Sequence, residues 1–165
     1  MENIISKHNH KVLNSENKEA GINDKECNCR RKQLCPLEGK CLQETVIYKA
    51  TVTTDIGKKT YIGLTEGTFK ERFYGHTSDF NHTENRKNTA LASHVWDCKD
   101  KNIDFSIKWE ILKKCSLYRG GKRKCDLCLT EKLLILKNKD NPLNKRSELM
   151  GKCRHLRKFK LECVK

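Results

Sequence analysis

Between Val46 and Thr53 the chain alternates, with Val46, Tyr48, Ala50 and Val52 on one face and Ile47, Lys49, Thr51 and Thr53 on the other. Only a strand sends every second side chain to the same side, so this segment cannot settle as a helix. Asp55-Ile-Gly57-Lys-Lys offers a turn, and Thr60 to Leu64 reads as a second strand, so the two runs predict an antiparallel hairpin. Phe105, Ile107, Trp109 and Ile111 alternate with Ser106, Lys108 and Glu110 and predict a third strand, with Gly120-Gly121 closing the loop beyond it. A half-apolar sheet needs a cover, and the remaining pattern supplies helices. Thr68 followed by Glu71 is a capping box, after which Phe69, Phe73 and Phe80 fall near one stripe. Leu91, Val95 and Cys98 predict a second helix starting near Asn88 or Thr89, with His94 and Trp96 beside its apolar stripe. A third runs from about Asp126 to Asn138 with Leu127, Leu134 and Ile135 inward, and Asn141-Pro142 stops it. The order strand, strand, helix, helix, strand, helix predicts a compact α/β fold, a small antiparallel sheet covered by helices.

With 165 residues and 36% hydrophobic content, such a chain buries one modest core. Lys and Arg number 35 against 21 acids, a net charge of +14 that favours a polyanionic partner, although a solvated basic surface has the same composition. Met1 to Asn17 is polar and no apolar run approaches membrane-spanning length, so the reading is an intracellular, nuclear chain without a membrane partner. In that setting the ten cysteines stay reduced, and metal binding explains them better than disulfides. Cys27, Cys29, Cys35 and Cys41 lie in a stretch with too little apolar area for a core, and they form one candidate zinc set. Cys125 and Cys128, with Cys153 and His155, form a possible second, although two cysteines at a helix start also serve as small apolar residues. Cys98, Cys115 and Cys163 read as core or incidental. The expected organisation is a flexible polar arm over 1–26, a cysteine-rich segment over 27–45, the α/β domain over 46–150 and a basic tail over 151–165.

Six residues could carry chemistry. A hairpin brings the phenols of Tyr48 and Tyr61 to one surface, where each can contact a phosphate and its attacking water, though strand tyrosines usually only pack. Arg72 and His76, four apart on a helix, project from the same face and could clamp a phosphodiester; an exposed pair on a solvated face has the same spacing. Glu131 sits one turn from Leu127 and one turn from Ile135, and a carboxylate within an apolar stripe needs a partner, either a divalent ion such as magnesium or a lysine such as Lys132. Asn144, just past the helix-stopping Pro142, could orient a phosphate or cap the turn.

These residues resemble a GIY-YIG endonuclease domain from about Val46 to Asn144. More closely, Cys27-Asn-Cys-Arg, Cys35-Pro-Leu, Tyr61-Ile-Gly-Leu-Thr-Glu-Gly-Thr-Phe, Cys125-Asp-Leu-Cys-Leu-Thr-Glu131 and Leu143-Asn-Lys-Arg-Ser-Glu are similar to the endonuclease end of Penelope-like retroelements. The similarity covers most of the chain beyond residue 26 and extends to the arm from Ile4 to Asn14. It implies a three-stranded antiparallel sheet flanked by helices and a single site, using Mg2+ or Mn2+, that nicks one DNA strand. By the same resemblance Tyr48 is the general base, Tyr61 orients water or phosphate, and Arg72 stabilises charge on the scissile phosphate. His76 assists proton movement or phosphate contact, Glu131 holds the metal, and Asn144 supports the site. A phenol titrating near pH 10 needs cations such as the metal, Arg72 or Lys59 to draw off its proton. DNA is the implied partner, with element RNA or an upstream reverse transcriptase beside it, and no oligomeric state is implied. Two departures are visible: Val46-Ile47-Tyr48 lacks the family's initial glycine, and the spacer to Tyr61 is slightly long. The competing reading is a zinc-stapled nucleic-acid-binding module that does not cut. A protein-interaction module is the third, and it predicts little salt dependence of any DNA affinity.

Overall fold

The computed structural model describes residues 26–116, 125–145, 149, 153 and 155. The arm over 1–25, Gly120-Gly121, Cys163 and most of the tail lie outside the described residues. Strand β1 (Glu44–Thr54) is central, flanked by β2 (Gly57–Thr68) and β3 (Phe105–Lys114) in the order β2-β1-β3, with both pairings antiparallel. Helices α1 (Phe69–Asn81) and α2 (Ala90–Asp100) follow the hairpin, and α3 (Asp126–Lys137) follows β3. Among the described residues the structure therefore holds a three-stranded antiparallel sheet with three α-helices, a small α/β fold, preceded by a cysteine-rich segment.

The alternation read in the sequence becomes two cores. On one face Val46, Tyr48, Ala50, Val52, Tyr61 and Trp109 pack against Phe69, Leu91 and Val95 of α1 and α2. On the other, Ile47 and Ile62 pack against Leu127 and Ile135 of α3, with Cys115 and Cys125. Strand β1 is thus buried on both faces, and Ile47 is as fully buried as Tyr48. The second strand is longer than Thr60 to Leu64, because backbone pairing with β1 extends it through polar residues at both ends.

Helix α1 starts where expected: Thr68 Oγ1 accepts from the Glu71 N–H and the Glu71 side chain accepts from the Thr68 N–H. The cysteine-rich segment completes that cap. The N–H groups of Phe69 and Lys70 donate to the carbonyls of Gln43 (2.9 Å) and Cys41 (2.8 Å), so donors that a helix start leaves orphaned are satisfied from the preceding segment. Helix α2 is capped by Thr89, which accepts from the Ala92 N–H.

The outer edge of β2 is covered by the chain after α3. Thr60 N–H donates to the Asn141 carbonyl and Leu143 N–H to the Thr60 carbonyl, so Pro142 forms a parallel bridge beside Thr60. At the opposite edge lies β3, with Lys108, Lys113 and Lys114 exposed.

Candidate functional site

Because Tyr48 pairs with Gly63 and Ala50 with Tyr61, strand periodicity puts both tyrosines on the face covered by α1. Residues four apart share a helix face, so Arg72 and His76 both reach that surface. The Tyr48 oxygen sits between them, 2.8 Å from His76 Nε2 and 2.9 Å from Arg72 Nε, which donates to it. His76 Nε2 and the Tyr48 hydroxyl share one hydrogen bond whose donor depends on the imidazole tautomer, while the buried His76 Nδ1 has no hydrogen-bond partner among the described residues. Tyr61 meets His76 edge-to-face, with ring centroids 6.1 Å apart.

Gly63 makes the arrangement possible. A Cβ there would come within 2.5 Å of the Tyr48 hydroxyl oxygen and 2.7 Å of Cζ, so the ring lies directly on the backbone of β2. Gly63→Ala is expected to cost about 1–3 kcal/mol in urea unfolding through forced displacement of the Tyr48 ring.

Both Tyr48 and His76 are fully buried, while Arg72 is half-buried. Neither of the first two therefore belongs to a solvated face. Burial and the adjacent Arg72 cation lower the His76 pKa to about 3, so its imidazole is neutral at physiological pH. Burial also opposes the Arg72 cation, but the Tyr48 oxygen, Tyr61 and Asp79 outweigh it and hold the guanidinium above its ordinary pKa.

The His76 shift has a stability consequence. Between the ordinary value of 6.5 and about 3, the unfolded chain binds a proton at this position that the folded chain does not. Stability therefore falls as pH drops below 6.5, and the contribution is intact above it. Between pH 7 and pH 4.5 the wild type should lose about 2–3 kcal/mol more than His76→Gln, read from urea midpoints. Acid release from the cysteine clusters is common to both proteins and cancels.

Glu131 is half-buried on α3, between Leu127 and Ile135, in the layer on the opposite side of the sheet from Tyr48. Asn144 grips the strand that carries Tyr61: its Oδ1 accepts from the Ile62 N–H (2.9 Å) and its Nδ2 donates to the Ile62 carbonyl (2.7 Å). The structure thus gathers Tyr48, Tyr61, Arg72 and His76 in one layer, while Glu131 and Asn144 come from α3 and the segment that seals β2. Lys59 lies toward the hairpin turn, facing His94 and Cys98, and the cation at Tyr48 is Arg72.

Among the described residues two cysteine clusters could hold a metal ion. In the first, Cys27, Cys29, Cys35 and Cys41 bring their sulfurs within 4.8 Å of one another. Sulfur pairs 27–35, 29–41 and 27–41 stand 3.7, 3.6 and 3.5 Å apart. A tetrahedral ion with bonds of about 2.3 Å places its sulfurs about 3.8 Å apart, so the spacing fits zinc. Burial pushes the Cys35 thiol up, but the backbone N–H groups of Leu37 and Gly39, with Cys27 and Cys41, bring it down to about 7. Cys41 is pushed up by burial and by the sulfurs around it, since neighbouring thiolates repel without a cation between them.

In the second cluster, His155 Nδ1 lies 3.5 Å from the Cys125 sulfur, 3.1 Å from Cys128 and 3.6 Å from Cys153. Zinc bonds of about 2.0 Å to nitrogen and 2.3 Å to sulfur put those atoms about 3.5 Å apart in a tetrahedron. Cys125 and Cys128 are thus partners of the tail residues as well as members of the α3 core.

Three features escape sequence reasoning. The Gly63 cradle and the Asn144 clamp depend on strand register and chain return, which no local pattern encodes. Cys98 lies 3.9 Å from His94 Nε2, and there the four-residue spacing on a helix was a signal. Comparison with family models, with curated proteins and with solved structures found no match for this chain.

Proposed function

We propose that this chain is a divalent-metal-dependent DNA-nicking endonuclease of the GIY-YIG kind, resembling the retroelement type. The observation that carries the reading is the Tyr48 hydroxyl held between Arg72 Nε at 2.9 Å and His76 Nε2 at 2.8 Å, with Tyr61 on the same face. A cation donating to a phenol oxygen stabilises its phenolate, which is what a tyrosine base requires. Neutral His76 shares a hydrogen bond with the phenol oxygen and holds it in place without taking its proton. Because Tyr48 is closed to solvent, the reading requires its cover to shift when DNA binds, with Arg72 Nε keeping the phenol oxygen while the other guanidinium nitrogens meet the scissile phosphate. That movement couples phosphate binding to exposure of the base. Once its phenol proton has passed to solvent, the Tyr48 phenolate takes a proton from the attacking water as that water's oxygen bonds to phosphorus; Arg72 neutralises charge on the phosphate, and the bond to the 3′ oxygen breaks, that oxygen taking a proton from solvent to leave a 3′ hydroxyl and a 5′ phosphate. Glu131 comes from the helix on the other side of the sheet, so this reading requires the bound phosphate to reach both layers; there its carboxylate would hold Mg2+ or Mn2+, which takes one or two carboxylates with phosphate oxygens and retained waters and would act as a Lewis acid on the phosphate. The 3′ hydroxyl suits primed reverse transcription by an upstream reverse transcriptase on element RNA. Both cysteine clusters would hold structural zinc.

One observation favours a second reading. Tyr48 and His76 are fully buried, as expected of a core that packs and does not cut, and this describes a zinc-stapled nucleic-acid-binding module. A supercoiled-plasmid assay with magnesium or manganese separates the two. The nuclease converts supercoiled to nicked circle, loses this with EDTA, and loses it in Glu131→Ala. Binding without nicking in the wild type would sink the enzyme and leave the module. For either reading, the logarithm of DNA affinity should fall steeply and linearly with that of salt.

A further inference from the structure

Strand β2 ends in Leu64-Thr65-Glu66-Gly67-Thr68, and period two puts Glu66 on the same face as Ile62 and Leu64, the face that α3 covers. At this point β2 carries one extra residue: Val46 pairs with Thr65 and Glu44 with Thr68, so Glu66 and Gly67 stand opposite Thr45 in the irregularity. Thr45 adopts φ 53°, and its hydroxyl donates to the Glu66 carbonyl at 3.3 Å. The bulge fixes where Glu66 leaves the sheet. Its carboxylate reaches His155, with Oε1 3.3 Å from Nε2, and the His155 side chain is only 10% exposed.

His155 therefore has two occupied sides. Nδ1 faces the sulfurs of Cys125, Cys128 and Cys153 at 3.1–3.6 Å, and Nε2 faces Glu66. A metal-ligating imidazole offers a lone pair from one nitrogen and carries its proton on the other, where a carboxylate fixes ring orientation and raises ligand basicity. We propose that Glu66 is the positioning residue of the second cysteine cluster, holding His155 as the Nε2–H tautomer for a tetrahedral thiophilic divalent ion. The centre then binds three segments together: β2 through Glu66, the first turn of α3 through Cys125 and Cys128, and the tail through Cys153 and His155. Glu131 stands one turn beyond Cys128, so the clasp sets how α3 presents that carboxylate. This inference rests on the metal reading of the cluster and does not require that the chain cuts DNA.

The test is zinc release from the full, zinc-loaded chain to a chromogenic chelator. Wild type should release two zinc ions in two phases, and Cys125→Ser identifies the second-cluster phase by removing it. In Glu66→Gln that phase should reflect about 10–100-fold weaker binding. The first-cluster phase should stay unchanged, an internal report that the fold stands. In a His155→Cys background, which keeps four ligands but removes the imidazole, adding Glu66→Gln should change nothing. Cobalt substitution gives a further readout, with tetrahedral cobalt–thiolate absorption retained in Glu66→Gln. Equal release from wild type and Glu66→Gln overturns the role of Glu66 while the metal reading stands. An effect of Glu66→Gln that persists without the imidazole also overturns it. Absence of any second-cluster metal in the wild type overturns both.

Discussion

Tyr48→Phe should reduce plasmid nicking by about 10²–10⁴-fold, the range expected when a positioned acid–base group is removed. The ring contacts survive this change: phenylalanine still fills the space against Phe69, Trp109 and Gly63. What disappears is one oxygen with two partners, Arg72 Nε and His76 Nε2, both left in a buried setting. Unmaking those bonds costs about 1–3 kcal/mol, which circular dichroism and urea unfolding would detect as a lower midpoint with an unchanged folded spectrum. An activity loss larger than the population shift is therefore chemical. A variant that nicks at the wild-type rate would remove Tyr48 from the reaction and shift the base role elsewhere.

Cys41→Ser should have the largest structural effect. Cys41 is fully buried and its sulfur approaches those of Cys27 and Cys29 at 3.5 and 3.6 Å, so its loss opens the first cluster at its centre. Few apolar groups hold the cysteine-rich segment, and structural zinc in small modules contributes apparent binding energies of about 10–16 kcal/mol, which double as folding energy. Bound zinc should fall from two to one per chain, and amide protection between Cys27 and Gln43 should collapse in hydrogen exchange. The damage extends into α1. Phe69 and Lys70 lose the carbonyls of Gln43 and Cys41 that complete their cap, and Arg72 stands in that same first turn. DNA nicking should fall with the exchange protection of 69–72, although Cys41 touches no reacting group. Wild-type zinc content with full protection would show that the four sulfurs pack without an ion.

Much of the architecture was legible because local signals agreed with it. Alternation gave β1 and β3 as strands, though not that β1 is the central one buried on both faces, and the Thr68–Glu71 box marked the start of α1 to the residue. The true length of β2 was hidden, since Gly57 to Lys59 and Thr65 to Thr68 owe their strand conformation to backbone pairing rather than to apolar spacing. Spacing brought Arg72 and His76 together, but the depth of His76 depends on Phe80 and Trp109 stacking around it, a tertiary effect. The cysteine sets were readable as ligand counts. Glu66 was not, because a carboxylate that meets a histidine 89 positions later leaves no periodic trace.

The two edges of the sheet meet different fates. Chain returning from α3 occupies the outer edge of β2 at Thr60 and Ile62, so strand addition there is blocked, whereas β3 is the other edge of the sheet. There Lys108, Lys113 and Lys114 stand exposed, and like charges brought opposite one another on two copies repel. Solubility is thus guarded by charge rather than by backbone on that side. A polyanion that neutralised those lysines would lift the guard and leave the β3 edge open to pairing with a second copy.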